Sequence, residues 1–225
     1  MNTDAISESR RFFQKVYTWM FAGLIVSGLT AYFVSVTPAL YKPIIGNSLL
    51  FFGICIGQIA IVVALAGFIK KISATAALFM FFLYCVVTGL TLSVIFLAYT
   101  LQSIGVVFFI SAGMFGAMSI YGMVTKTDLT RMGQVLVMGL FGIIIAMIVN
   151  IFLKSNVTDI IISILGVIIF TGLTAYDTQK IRKFNIIGNE GTPEDLKESV
   201  VGALALYLDF INLFLFLLRL FGRRK

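Results

Sequence analysis

Residues 199–221 read SVVGALALYLDFINLFLFLLRLF, an apolar run broken by one acid, Asp209, and closed by one base, Arg219. A hydrocarbon layer of about 30 Å needs roughly 20 such residues in helical form. The run lacks the period-2 alternation of an outer-membrane strand, and in lipid only a helix satisfies the backbone of an isolated segment internally. Working outward, six further runs of this kind appear, at about Tyr17–Val36, Ser48–Ile69, Thr75–Tyr99, Ser103–Thr125, Gly133–Leu153 and Val157–Thr178. The polar connections between them, such as Pro38–Asn47 and Lys154–Asn156, leave no room for a second domain. Residues 1–225 therefore read as a single all-α membrane domain, with seven transmembrane helices after an N-terminal segment over residues 1–16. The first span follows about 16 mostly polar residues and is long enough to cross, so a retained span is expected in place of a cleaved signal peptide.

The composition agrees. Of the 225 residues 60% are apolar and 12% charged, and the mean hydropathy is +1.04. Soluble domains carry roughly a quarter charged residues, so a water-soluble fold and a disordered chain are both excluded. Cys55 and Cys85 lie in apolar surroundings and do not make a disulfide scaffold. There is no histidine. That absence removes the common zinc and haem ligand, the Ser-His and Cys-His nucleophile pairs and the usual titrating group near neutral pH.

Basic residues set the expected orientation. Arg10, Arg11, Lys15, Lys70, Lys71, Lys126, Arg131, Lys180, Arg182, Lys183 and Lys197 fall on one side of the layer, against only Lys42 and Lys154 in the opposite loops. The positive-inside rule then places the N-terminus in the cytoplasm. Seven crossings carry Arg219, Arg223, Arg224 and Lys225 to the far side, which that rule disfavours. Either the first six spans dominate or the last segment re-enters; a crossing is the reading adopted. The net charge of +7 is dispersed at span ends, so it points to anionic lipid heads and not to nucleic acid. Gly53 with Gly57, and Gly113 with Ala117, stand four residues apart and are expected to let helices approach closely.

Depth sorts the ten acids. Asp4 and Glu8 lie in the N-terminal segment, Asp128 and Glu190 in loops, and Asp159 at a helix start, where a carboxylate complements the helix dipole. Thr192-Pro193-Glu194-Asp195 reads as an N-cap, a proline in the first helical position and an acid three residues after the cap, with Glu198 one turn on. Asp177 and Asp209 remain, each inside an apolar run. An ionisable group deep in a span costs several kcal/mol and usually faces the bundle interior or a cavity. Thr174, Tyr176, Tyr207 and Asn212 are their candidate local partners.

Asp177 lies one to two turns inside a boundary near Arg182 and Lys183, and Asp209 about 15 Å beyond Ser199. Consecutive spans are antiparallel, so both acids occupy the same half of the layer, offset by about a turn. Two carboxylates about 4 Å apart repel by about 4 kcal/mol at an effective dielectric of 20. Such a pair exchanges a proton near neutral pH without histidine. Protonated, it ties two helices together; doubly ionised, it separates unless a cation enters. Calcium prefers six to eight oxygens, so two carboxylates predict weak, transient contact along a path.

At these residues the chain resembles a known family. Gly172-Leu173-Thr174-Ala175-Tyr176-Asp177-Thr178-Gln179-Lys180 and Ala205-Leu206-Tyr207-Leu208-Asp209-Phe210-Ile211-Asn212-Leu213-Phe214 are similar to signature segments of the Bax inhibitor-1, or transmembrane Bax inhibitor motif, family. Gly113-Met114-Phe115-Gly116-Ala117-Met118 fits the same family, and the seven-span plan matches along nearly the whole chain, as in a bacterial inner-membrane member. The resemblance implies a last helix surrounded by the other six. It also implies a pH-sensitive calcium leak governed by aspartates at the positions of Asp177 and Asp209. Family members can carry an arginine on the second span that latches to this pair. Here Gln58 is that span's only strongly polar mid-span residue, so closure would rest on the shared proton alone.

The leading expectation is a passive, pH-gated cation leak, chiefly for Ca²⁺, with no resident cofactor and no enzymatic activity. Its partners would be the bilayer, Ca²⁺ and protons. A non-conducting protein that modulates a membrane-anchored quality-control protease is the alternative, the protease link being implied by the resemblance. An intramembrane aspartyl protease fits less well, because Asp209 follows Tyr207-Leu208 instead of Gly-x-Gly and Pro38-Ala39-Leu40 lies in the first loop.

Overall fold

The computed structural model describes residues 3–184 and 188–225; the side chain of Asp4 lies outside the described part. Eight helices follow one another: α1 Thr3–Val36, α2 Pro38–Gly46, α3 Ser48–Phe68, α4 Ala74–Ala98, α5 Leu101–Val124, α6 Thr130–Leu153, α7 Asn156–Phe184 and α8 Pro193–Phe221. Seven of them, all but α2, are long and apolar enough to cross a membrane. The chain is a helical multi-pass membrane protein.

Helix ends match the sequence signals. Asn47, Ser73 and Thr100 cap α3, α4 and α5 by accepting a backbone N–H from the first turn. At α8 the Asp195 amide donates to Thr192 Oγ1 at 3.2 Å, with Pro193 in the first helical position. Two features depart from expectation. Pro38–Asn47 holds a short helix, α2, started by Pro38 and carrying Pro43 inside it. Helices α1, α7 and α8 run beyond their apolar stretches, because polar residues at a helix end keep the intrahelical backbone bonds.

The residues gather into two compact units, one of Met1–Tyr99, Phe184–Tyr207 and Lys225, the other of Thr100–Lys183 and Leu208–Arg224. In the first, α1 packs along α4, and α4 along α3. Gly89 lets α1 approach so closely that an added Cβ would lie 2.8 Å from the Ser27 carbonyl oxygen. Gln58 of α3 donates to the Val87 carbonyl at 3.0 Å and Thr91 Oγ1 at 2.9 Å on α4, so it clamps two helices. In the second unit, Phe210 of α8 meets Phe108 and Phe115 of α5 with ring centroids 5.3 and 5.5 Å apart, and Phe216 stacks on Phe170 of α7 at 5.8 Å.

In the last span, α8, 72% of the most apolar stretch is buried, against 6–39% in the other six spans. The expected close approaches at Gly53, Gly57 and Gly113 are corrected: an added Cβ at any of them meets nothing within 4 Å, and Ala117 faces outward. The tight contacts sit at other glycines, among them Gly122 and Gly133.

Candidate functional site

Asp177 and Asp209 both belong to the second unit, and their carboxyls are close enough for each to act on the other's charge. Two carboxylates have no proton to donate, so a hydrogen bond between them would need one of the pair protonated. Asp209 is 4% exposed and its Oδ2 atom has no hydrogen-bond partner, while Asp177 is half-buried. Lys180, one turn along α7, places its charge near Asp177, and its Nζ sits 5.8 Å from the centre of the Tyr176 ring.

Three helices fix the α7 turn that carries Asp177. Gly122 of α5 lies against the Ala175 carbonyl oxygen and the Thr178 side chain, so closely that an added Cβ would overlap the oxygen. Gly133 of α6 lies under the Tyr176 ring in the same way. From α8 comes Asp209 itself. Residues 175, 176 and 178 are thus seated on both sides of Asp177, which leaves its side chain facing α8.

Gln179 locks the same turn at the loop between α5 and α6. It is 3% exposed; its Oε1 accepts the Leu129 amide at 2.9 Å and its Nε2 donates to the Thr127 carbonyl at 2.8 Å. Arg182 donates to the Met123 carbonyl at 2.5 Å, the last turn of α5. These groups escape a reading by depth, because Gln179 is uncharged and lies where the apolar run ends. A glutamine two residues after an acid in an apolar run, with an arginine three residues on, is the signal available in the sequence.

The candidate partners divide. Thr174 Oγ1 donates to the Phe170 carbonyl and Asn212 Nδ2 to the Leu208 carbonyl, each within its own helix. Tyr176 covers Gly133. Tyr207 belongs to the first unit, where its hydroxyl lies 2.6 Å from Ser27 Oγ. The Ser27 proton is taken by the carbonyls of Cys85 and Gly23 at 2.7 and 3.0 Å, so Tyr207 is the donor. Gln58 is committed to α4, as described above. None of the five therefore shows a hydrogen bond to the pair. Among the described residues no set of three His, Cys, Asp or Glu side chains converges to hold a metal.

Two acids that read as ordinary loop and cap residues carry a second cluster, in the first unit. Arg11 of α1 grips Glu190 through Nε and Nη2 at 2.6 and 2.8 Å, and Lys15 donates to Asp195 at 2.5 Å. Asp195, 3% exposed, also accepts the Gly191 amide at 2.9 Å. Together they hold the polar start of α1 against the start of α8. The Arg11 guanidinium keeps the Glu190 carboxyl below its usual range.

Comparison with known proteins gives the family. A family described as inhibitor of apoptosis-promoting Bax1 matches residues 9–225. The inner membrane protein YbhL of Escherichia coli K12 is 44% identical over 99% of this chain and 97% of its own length. An uncharacterized protein of Borreliella burgdorferi is 47% identical over 96% of this chain and 93% of its own, and one of Deinococcus radiodurans 39% over 97% and 93%. With the match running from the first helix to the last, the chain belongs to the Bax inhibitor-1 family.

Proposed function

We propose that this protein is a passive, pH-sensitive cation leak of a bacterial inner membrane, with Ca²⁺ as its chief cargo and Asp177 and Asp209 as sensor and cation contact. The membrane assignment draws on the seven spans and the inner membrane relative, and the basic loops favour a cytoplasmic N-terminus. The observation that carries the reading is the meeting of the two carboxyls, with Asp209 buried and one of its oxygens without a partner. A proton shared between a carboxylic acid and a carboxylate makes a charge-assisted bond, about twice as strong as a neutral one. The one-proton pair is the state that ties α7 to α8. Removing that proton leaves two like charges repelling by about 4 kcal/mol at 4 Å and a dielectric of 20, and a divalent cation is the species that relieves them. Two carboxylates fall far short of the six to eight oxygens of a storage site, which suits passage more than retention.

The test is calcium entry into proteoliposomes containing the purified protein at pH of about 6 to 8, a range that brackets neutrality. Wild-type flux should change several-fold across it, and Asp177→Asn and Asp209→Asn should each flatten the profile. Identical profiles for all three proteins would overturn the mechanism. A protein that carries no ions at all, and co-purifies with a membrane protease, would favour the non-conducting alternative.

A further inference from the structure

A second polar region lies in the Thr100–Arg224 unit, where the end of α6, the start of α7 and the end of α8 converge. A cavity of about 610 Å³ opens there, within the roughly 300–1,000 Å³ of small-ligand sites. An adjoining hollow of about 150 Å³ shares Asn156, Asp159 and Arg219 with it. Three cations line the two, Lys154, Arg219 and Arg224, against one carboxylate, Asp159.

That carboxylate does not satisfy Arg219 or Lys154. Its Oδ1 accepts Asn150 Nδ2 at 3.1 Å, and the Arg219 guanidinium stands 3.7 Å away, outside hydrogen-bonding range. Arg219 rests its plane 5.8 Å from the Phe216 ring, a contact that leaves its five N–H donors unused. Among the described residues neither Arg219 nor Lys154 makes a side-chain hydrogen bond. Arginine forks of this kind match phosphate oxygens two at a time. The walls add a second requirement. Ile144, Ile148 and Ile151 face outward along one stripe of α6, and the first two of that stripe and Ile151 border the cavity. An apolar track of about 10 Å therefore leads from the lipid-facing surface of α6 to the cations.

We propose that this cavity binds one anionic phospholipid, its phosphate against Arg219, Arg224 and Lys154 and one acyl chain along Ile144, Ile148 and Ile151. A free phosphate would use the cations and leave the track bare. A zwitterionic lipid would bring its own cation into a region whose side chains already carry two more positive than negative charges. The proposal also accounts for the basic end of the last span, which the positive-inside rule leaves unexplained: a bound headgroup supplies its counter-charge.

Native mass spectrometry of the full chain, released from detergent and titrated with phosphatidylglycerol or phosphatidylcholine, tests it. The wild type should retain one phosphatidylglycerol about ten-fold more tightly than phosphatidylcholine, and the triple variant Lys154→Gln, Arg219→Gln, Arg224→Gln should lose that preference. Because Arg219 also touches Asp159 and Phe216, the double variant Lys154→Gln, Arg224→Gln keeps those contacts and should show a partial loss. Glycerol phosphate, the headgroup without chains, should bind about ten-fold more weakly than the lipid. Equal retention of both lipids, unchanged preference in both variants, or displacement of the lipid by millimolar inorganic phosphate would each overturn the proposal.

Discussion

Gly122 of α5 and Ala175 of α7 touch through backbone: the place where a Cβ would stand on Gly122 is occupied by the Ala175 carbonyl oxygen. Asp177 lies two residues further along α7, so this contact sets the distance of its turn from α5. A methyl group at Gly122 cannot be accommodated by a side-chain rotation, because the obstacle is main chain.

Gly122→Ala is therefore expected to destabilise the protein by about 1–3 kcal/mol, the range for overpacking a filled site. Gly113→Ala on the same helix meets nothing within 4 Å and should stay within about 0.5 kcal/mol of wild type. Thermal unfolding of both variants in one detergent checks the contrast, and equal midpoints would show that the α5–α7 approach is loose.

Gln179 offers a second test. Gln179→Leu keeps the volume and removes the partners of the Leu129 amide and the Thr127 carbonyl, each worth about 1–3 kcal/mol when left unsatisfied. Hydrogen exchange at Leu129 should accelerate with the loss of stability. Gln179→Glu retains the acceptor for Leu129 and loses the donor to Thr127, so it should fall between Leu and wild type.

The two ion pairs at the start of α8 should differ. Asp195 is buried and hydrogen-bonded to both Lys15 and the Gly191 amide; Asp195→Ala should cost about 1.5–3 kcal/mol, the range for hydrogen bonds to a charged group. Arg11 and Glu190 meet at the surface, where salt screens them. Raising the salt concentration in the unfolding experiment should erase the effect of Arg11→Ala and leave most of that of Asp195→Ala.

Asp128 carries a pH prediction. Hydrogen bonds from Thr130, then from Lys183, lower its carboxyl to about 2. A group depressed in the folded state stabilises it fully above its unfolded value of about 3.9 and loses that contribution as pH falls through the folded value. The loss should occur between about pH 4 and pH 2 and be missing in Asp128→Asn. A carboxyl ¹³C titration in micelles should place the Asp128 midpoint near 2, and a midpoint at the ordinary carboxylate value would show that neither the Thr130 nor the Lys183 contact persists.

Much of the fold was legible because lipid imposes one strict length rule. Seven apolar runs became seven helices, and Thr192-Pro193 started α8 as its chemistry requires. Helix α2 was missed because a nine-residue helix between prolines carries too few turns for a periodic pattern. The spans came out short at their ends, since hydropathy reports immersion and a helix continues past it. Asp177 and Asp209 stood out in the sequence for the same reason as the spans: a carboxyl inside an apolar run is expensive enough to be noticed.

What residue type and spacing cannot specify is the partner. Gly113 and Gly122 look alike along the chain, yet only Gly122 faces another backbone. Tyr207 neighbours Asp209 in sequence but turns to Ser27, because side chains two residues apart on a helix point to different faces. Glu190 and Asp195 read as loop and cap residues until α1, about 180 residues earlier, brings Arg11 and Lys15 to them. The sequence alone determined seven helices, the family and two acids inside apolar runs, since burial in lipid is a property of each segment. Tertiary structure decided which face of each helix is filled, through Gly122, Gly133 and Gln179, because a contact is a property of two segments and exists only once both are in place.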